Sequence, residues 1–204
     1  MLTRAILFDF GGVLWRDVDR QARARWAREL GMESMALEER IFESPALARA
    51  MLGEISSAEM WREIGVILGL DETQSRQLGE NFFRGGQLNE KLLDFARQLR
   101  RHYQVGILSN AWDDARVDFT ERLGLGEIFE LLVISAEEGV AKPDPRIYQV
   151  AVERLGLRPP EVVFLDDRLE NVAAARQFGM RAVHYQDNRQ AVTEVQMYLG
   201  LARD

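Results

Sequence analysis

The chain has 204 residues and a formal charge of −7, because 33 acidic residues outnumber 26 lysines and arginines. That balance argues against a protein that coats nucleic acid, since phosphate backbones demand clustered positive charge. The sequence contains no cysteine, which excludes disulfides, thiolate catalysis and Cys-ligated zinc. No apolar run approaches the ~20 residues that span a bilayer, and no secretory signal is evident. We therefore expect a cytoplasmic protein with neither a nucleic-acid nor a membrane partner.

The first predicted element is a strand over Ala5–Phe8, and only helical patterns follow it for a long stretch. Apolar residues lie near one face of Arg16–Leu30, which predicts a helix that ends at the next glycine. Ser56 begins a capping-box sequence, and Asp71 can cap a further helix. This segment contains no convincing strand.

The remainder of the chain alternates between strands and helices. Short apolar runs, several rich in β-branched residues, predict further strands over Gln104–Leu108, Leu131–Ser135, Val162–Leu165 and Arg181–His184. Helical spacing predicts helices over Glu90–Arg101, Arg146–Leu155 and Asn171–Phe178. Such alternation indicates an α/β fold whose parallel sheet is covered on both faces. We expect residues 1–15 and 86–204 to form this core, and residues 16–85 to form an inserted α-helical domain.

The ends of the first two strands carry polar residues. Asp9 is followed by Gly11 and Gly12, which allow a tight backbone excursion. Ser109 and Asn110 end the second strand, where a hydroxyl and amides can hold an anion or simply make a turn. Ligands of open α/β sheets bind outside the carboxyl ends of the strands.

Two further groups complete the pattern. Lys142 lies in a loop that nearby prolines stiffen, and Asp166 and Asp167 end the fourth strand. Adjacent carboxylates repel one another, so the pair favours a bound cation. Since these strand ends converge on one crevice, the sequence predicts a carboxylate nucleophile, oxygen ligands for Mg²⁺ and donors for phosphate oxygens at a single site.

Four segments of the chain resemble the motifs of the haloacid dehalogenase superfamily, in order and spacing. They are Leu7–Leu14, Ile107–Asn110, Ala141–Tyr148 and Val163–Asn171. The resemblance implies a Rossmann-like, three-layer core with a mostly parallel sheet, and the helical insertion is similar to the family's helical cap of the first type. The forms of the first and fourth motifs are most similar to the glucose-1-phosphate phosphatases and the N-terminal phosphatase domain of soluble epoxide hydrolases.

The resemblance also implies the chemistry. Asp9 would attack phosphorus and form an aspartyl-phosphate, with Mg²⁺ bound by Asp9, the Gly11 carbonyl and Asp167. Asp166 would be a further ligand or a partner of the ligands. We therefore expect a Mg²⁺-dependent phosphatase for a small phosphorylated metabolite, acting as a monomer or a homodimer.

The phosphoryl group has its own predicted partners. Ser109 and Lys142 would bind it, and Lys142 would also restrain Asp9 electrostatically. Asn110 would contribute its amide, and the Gly11–Gly12 turn belongs to the same phosphate- and substrate-binding set. An anionic nucleophile needs such counter-charge to approach an anionic phosphate.

Gly11 departs from the family pattern, because phosphatases of this family usually carry there an Asp that protonates the leaving oxygen. General acid–base catalysis is commonly worth ~10²–10⁴-fold, so its loss predicts slow turnover. A good leaving group, such as a sugar 1-phosphate or acyl phosphate, would need little protonation. Alternatively Asp17 or Asp19 could supply the proton, or catalysis has been lost.

Two other functions stay open at this point. One is a catalytically weak or inactive binding protein, which Gly11 favours. The other is a metal-free 2-haloacid dehalogenase, against which the retained Asp166 and Asp167 argue. Trp15 and Trp112 each follow a strand that carries a candidate site residue, and could either line the substrate pocket or pack in the core.

Overall fold

The computed structural model describes residues 2–201 and contains a central five-stranded sheet. The strands of the chain are β1 Ala5–Phe8, β2 Trp15–Asp17, β3 Gly86–Leu88, β4 Gln104–Ser109, β5 Leu131–Ile134, β6 Val162–Asp166 and β7 Arg181–His184. The central sheet has the order β5-β4-β1-β6-β7, and all of its neighbours run parallel. β1 is therefore the middle strand, with β4 and β6 on either side.

Helices cover both faces of this sheet. The helices are α1 Gln21–Glu29, α2 Ser34–Phe42, α3 Pro45–Met51, α4 Ser57–Leu68, α5 Glu72–Phe82, α6 Glu90–Leu99, α7 Ala115–Val117, α8 Ser135–Glu138, α9 Pro145–Leu155, α10 Leu169–Phe178 and α11 Asn188–Leu199. A π-helical turn over Asp118–Arg122 follows α7. The three-layer α/β arrangement predicted from the sequence is confirmed.

Period-two alternation divides each central strand between two apolar clusters. Ile6 and Phe8 pack on one face with residues of α6 and α11, while Ala5 and Leu7 pack on the other with residues of α9 and α10. All four β1 side chains are fully buried, as expected for a parallel strand covered on both faces. The buried sheet fixes the position of the polar residues that follow each strand.

Helices α1–α5 have an apolar cluster of their own, which includes Leu37, Ile41, Met60, Ile64 and Leu78. We call residues 16–85 the cap. The capping boxes at Ser56 and Asp71 form as predicted. The domain boundaries themselves stay a prediction.

Two details of the first crossover differ from the sequence-based prediction. Trp15–Asp17 and Gly86–Leu88 pair as antiparallel strands, whereas no strand was expected there. Consequently the first cap helix begins at Gln21 rather than Arg16. Within the described residues, no helix is both long and apolar enough to cross a membrane.

Candidate active site

Asp9 lies at the centre of the carboxyl edge of the sheet. It directly follows β1 and is 7% exposed, and its amide donates to the Leu165 carbonyl of β6 at 2.8 Å. Ser109 at the end of β4 and Asp166 at the end of β6 are also buried. The three strand ends therefore converge, as the sequence predicts.

Lys142 connects the neighbouring carboxylates. Its Nζ donates to Asp9 Oδ1 and to Asp166 Oδ2, each at 2.7 Å, and to the Leu108 carbonyl at 2.9 Å. Its side chain is 1% exposed. All three ammonium protons are thus used inside the protein, and the charge is held beside Asp9.

Two asparagines fix this arrangement. The Asn110 side chain donates to the Lys142 carbonyl at 2.9 Å and accepts from the Lys142 amide at 2.8 Å, so it orients the lysine loop. The Asn171 side-chain amide donates to both oxygens of Asp166 at 3.0 Å, and the Asn171 backbone carbonyl accepts the Tyr148 hydroxyl at 2.9 Å. The side-chain amide that was expected near the phosphate therefore contacts the Lys142 backbone.

Asp9, Asp166 and Asp167 form a carboxylate cluster, with one oxygen from each lying within 4.8 Å of the others. Their environments differ. Asp166 is fully buried and accepts bonds from Lys142, Asn171 and the Arg168 amide. Among the described residues, Asp9 Oδ2 and the Asp167 carboxylate make no hydrogen bond to another residue. These unpaired oxygens are free to bind a cation.

The Gly12 backbone makes room for Asp167. It has a positive φ of 78°, and a Cβ there would lie 2.1 Å from Asp167 Oδ2. A side chain at this position would be strained and would also displace the carboxylate. Gly11 differs, because a Cβ added there would meet no other atom within 4 Å and its φ is not positive.

The three carboxylates and the Lys142 ammonium shift one another's pKa values. Burial raises the pKa of Asp9 from 3.8 to about 7, aided by Asp166 and Asp167 and opposed by Lys142. Burial would lower the pKa of Lys142, but the Asp9 and Asp166 carboxylates raise it above its ordinary value. Three carboxylates face one ammonium, so the site has an excess of negative charge that suits a divalent cation.

A pocket of about 400 Å³ opens beside Asp9, between the core and the cap. Ser109, Asn110 and Gly11 line its inner end. Six aromatic side chains contribute to the remaining lining, namely Phe10, Trp15, Phe42, Phe83, Trp112 and Phe119. Trp15 and Trp112 therefore lie on the pocket wall, one of the two alternatives that the sequence left open.

Residues 3–179 match the family model described as haloacid dehalogenase-like hydrolase. The chain belongs to this family. It is thus a hydrolase of the haloacid dehalogenase superfamily, as the four motifs indicated, and its relatives include phosphatases.

Two curated relatives illustrate the range of the family. The D-ribitol-5-phosphate phosphatase of Bacteroides thetaiotaomicron is 26% identical over 189 residues, covering 87% of this chain and 89% of the relative. The bifunctional epoxide hydrolase 2 of Sus scrofa is 27% identical over 221 residues, covering 98% of this chain. The chain spans only 40% of that hydrolase.

A solved structure is similar over nearly the whole chain. It is a family enzyme from Bacteroides thetaiotaomicron in complex with magnesium and inorganic phosphate, and it is 25% identical with a TM-score of 0.73. The alignment covers 90% of this chain and 94% of that chain. The likeness confirms the fold of this hydrolase.

Sequence reasoning did not assign the roles of Asn171 and Tyr148. Asn171 lies five residues after Asp166 at the start of α10, and both it and Tyr148 are buried. The sequence signal available for Asn171 was a polar residue on the buried side of a helix, just after an acidic residue at a strand end.

Asp17 and Asp19, the alternative proton donors considered from the sequence, lie where the chain enters the cap. Asp17 pairs with Arg23 at 2.7 Å, and the Asp19 carboxylate accepts the Gln21 amide.

Proposed function

We propose that this chain is a Mg²⁺-dependent phosphomonoesterase for small phosphorylated molecules, with Asp9 as its covalent nucleophile. The observation that carries the proposal is the buried Asp9 carboxylate, held by Lys142 beside two further carboxylates. The phosphatases among its relatives and the magnesium–phosphate complex of a similar structure support it.

The residues present fit a magnesium ion. We assign Asp9, the Gly11 carbonyl and Asp167 as protein ligands, because the Asp9 and Asp167 carboxylates retain unpaired oxygens of the kind that Mg²⁺ prefers. Asp166 does not bind the ion directly, since Lys142, Asn171 and the Arg168 amide already occupy its oxygens. When bound, the ion supplies positive charge that screens the phosphoryl oxygens.

The reaction has two displacements. An oxygen of ionised Asp9 attacks phosphorus, the bond from phosphorus to the ester oxygen breaks, and the leaving alkoxide takes a proton from water. Water then attacks the phosphorus of the aspartyl-phosphate, which releases inorganic phosphate and restores the carboxylate.

The Ser109 hydroxyl makes no hydrogen bond among the described residues and lines the pocket, so it can donate to a phosphoryl oxygen.

Lys142 serves the nucleophile. Its charge favours the ionised form of Asp9 and reduces the repulsion between that carboxylate and the incoming phosphate. Asn110 is bonded to the backbone of Lys142 and holds the lysine loop in place. It therefore affects phosphate binding indirectly, by positioning Lys142.

The test is the release of inorganic phosphate from an aryl phosphate. We expect activity that requires Mg²⁺, that a chelator removes and that Asp9→Asn abolishes. Asp94→Asn, an exposed substitution on α6, is the matched control and should leave the rate unchanged. Activity of Asp9→Asn in metal-free buffer would contradict the proposal, and release of chloride from 2-chloropropionate without phosphate release would indicate a dehalogenase.

Gly11 favours a second candidate, a weak or inactive phosphate-binding protein. The described site has no carboxylic acid at the position where family phosphatases protonate the leaving group. Binding of Mg²⁺ and phosphate without turnover across a broad set of phosphate esters would decide for this alternative.

A further inference from the structure

The pocket beside Asp9 has two aromatic walls. On the core side, the Phe10 ring stacks on Trp15 at 6.0 Å and contacts Phe119 at 4.2 Å between ring centroids. Opposite them, Phe83 of the cap packs against Trp112 of the core at 5.5 Å between ring centroids. A flat or branched apolar group fits between such surfaces and is attracted by dispersion and by loss of hydration.

Charged groups in the pocket lining neutralise each other. Within the described lining, Asp118 and Arg122 carry the charges, and they pair with each other at 2.6 Å. The Ser109 hydroxyl, which can donate to the phosphate, lies at the inner end. The lining thus offers few partners for a hydroxylated substrate, whose buried hydroxyls would lose their hydrogen bonds to water.

The outer end of the pocket meets a second cavity of about 450 Å³. The two cavities share Phe83, Trp112, Asp118 and Arg122, and the second is lined by Arg62, Glu72, Arg76 and Glu80. Because these four charged side chains line the second cavity and not the first, the first cavity is the more favourable place for the apolar part of a bound molecule. A volume of about 400 Å³ lies in the range of ~300–1,000 Å³ that is typical of small-molecule pockets.

We propose that the substrate is a phosphomonoester whose organic part is apolar, either an aromatic ring system or a short aliphatic chain. The proposal rests on the phosphatase function proposed above and adds the chemical class of the leaving group. The inner polar end binds the phosphate, and the aromatic walls bind the hydrocarbon.

A homologous series of primary alkyl phosphates tests this proposal, because chain length changes while the type of ester stays the same. From ethyl through butyl to hexyl phosphate, we expect kcat/KM to rise by up to about fourfold per buried methylene. Hexyl phosphate should exceed a hexitol 6-phosphate by at least about tenfold, since that polyol has the same carbon number but buries hydroxyls.

A charge on the pocket wall should remove this preference. Phe42 lines the pocket and is 47% exposed, so Phe42→Glu is compatible with folding. We expect it to reduce the ratio of kcat/KM for hexyl over ethyl phosphate at least tenfold. Val66→Glu places the same charge on an exposed apolar cap residue outside the pocket, and should keep the wild-type ratio.

The failures of the two proposals are distinguishable. Phosphate release at rates independent of chain length, or a preference for the hexitol ester, would overturn the apolar-substrate proposal and leave the phosphatase function standing. Absence of release from every ester would overturn the phosphatase function. Calorimetry on Asp9→Asn then tests the pocket without turnover: tighter binding of hexyl phosphate than of the hexitol ester supports an apolar pocket, and equal or weaker binding contradicts it.

Discussion

Lys142 sets the charge balance of the site because it is bonded to both Asp9 and Asp166. Without it, two buried carboxylates would face each other beside Asp167 with no counter-charge. The pKa of Asp9, already raised to about 7 by burial, would rise further. The lysine therefore favours the ionised form of this buried carboxylate, which the proposed nucleophilic role of Asp9 requires near neutral pH.

The raised pKa of Asp9 predicts a pH-dependent stability of the metal-free protein. The folded-state pKa of about 7 exceeds the ordinary value of 3.8, so folding favours the protonated carboxyl. The destabilisation caused by Asp9 should therefore be absent below about pH 4, grow as pH rises towards 7, and stay constant above that. Asp9→Asn should unfold at a higher temperature than wild type at pH 7.5 in chelator, with the difference shrinking towards pH 4.

Magnesium provides the control for this prediction. Added Mg²⁺ should raise the melting temperature of wild type, because a bound ligand stabilises the folded state, and should raise that of Asp9→Asn much less. Equal melting temperatures of the two proteins between pH 4 and pH 7.5 in chelator would contradict the assignment of a raised pKa.

Gly11→Asp should increase phosphatase activity. The position has open space for a side chain and no positive φ, so a carboxyl can be added without strain and can protonate the leaving group. We expect kcat for an alkyl phosphate to rise by at least about tenfold, a part of the ~10²–10⁴-fold that general acid–base catalysis supplies.

The neighbouring glycine is the matched control. Gly12→Asp should abolish activity, because its Cβ would overlap Asp167 and its φ of 78° disfavours a side chain. Steady-state kinetics of both variants decide the matter. If Gly11→Asp is folded but no faster than wild type, proton donation is not what limits turnover.

The sequence predicted which residues meet at the site, but not how they are bonded. Convergence of Asp9, Ser109 and Asp166 follows from the rule that parallel strands end at one edge. Asp166 and Asp167 are the same residue type, but Asp166 is the last residue of β6 and is buried, whereas Asp167 follows the strand and is exposed. The pairing of Asn171 with Asp166 depends on how α10 packs, which no local pattern specifies.

At the scale of elements, the five strands of the central sheet lie within one residue of their predicted bounds. Continuous apolar runs identify such strands because both faces are buried. β2 and β3 were missed because each has only three residues, none of them buried, and each forms only through pairing with a segment far away in the chain. Local patterns carry no information on that pairing.

Arg23 joins the cap helices to β2. Its Nε donates to the Phe82 carbonyl at 2.9 Å, its Nη2 lies 2.7 Å from Asp17 Oδ2, and its guanidinium lies 4.4 Å from the Phe82 ring centroid. The residue is 3% exposed. A planar guanidinium satisfies these partners at once, which an ammonium cannot do.

Arg23→Met should therefore lower the free energy of unfolding by about 3 kcal/mol, the lower end of the range for breaking a buried ion pair, since Asp17 is partly exposed. Urea denaturation measures the change. Arg25→Met, on the exposed side of the same helix, should stay within about 0.5 kcal/mol of wild type. Equal effects of the two substitutions would show that the Arg23 contacts do not stabilise the cap.

At the scale of the whole molecule, the cap contacts the core through a few close approaches. The amide and hydroxyl of Ser57 at the start of α4 donate to Asp113 at 2.9 Å and Asp114 at 3.1 Å. Gly53 lies so near α8 that a Cβ would be 2.2 Å from the Ala136 carbonyl oxygen. These contacts hold the aromatic pocket between the cap and the core.

Gly53→Val should separate the cap from the core, because the obstacle is backbone and cannot move aside as a flexible side chain could. We expect KM for an apolar ester to rise about tenfold or more, together with faster hydrogen exchange around Ser57. Gly69 has a similar left-handed φ, 74° against 70° at Gly53, but has open space around an added Cβ, so Gly69→Val controls for backbone strain. The same rise in KM for both variants would contradict a role for cap contact.

The register of β2 and β3 determines how the cap is connected to the core. Asp17 pairs directly with Gly86, so the inserted segment over residues 18–85 begins and ends at neighbouring positions of the structure. Antiparallel neighbours of this kind can be closed by a two-residue hairpin turn. A shortened chain that joins Asp17 to Gly86 through such a turn would preserve every strand of the central sheet, and a different excursion could be spliced in at the same place. The paired strands β2 and β3 are thus a suitable junction for grafting, through which the surroundings of the proposed nucleophile can be exchanged without redesigning the central sheet that carries it.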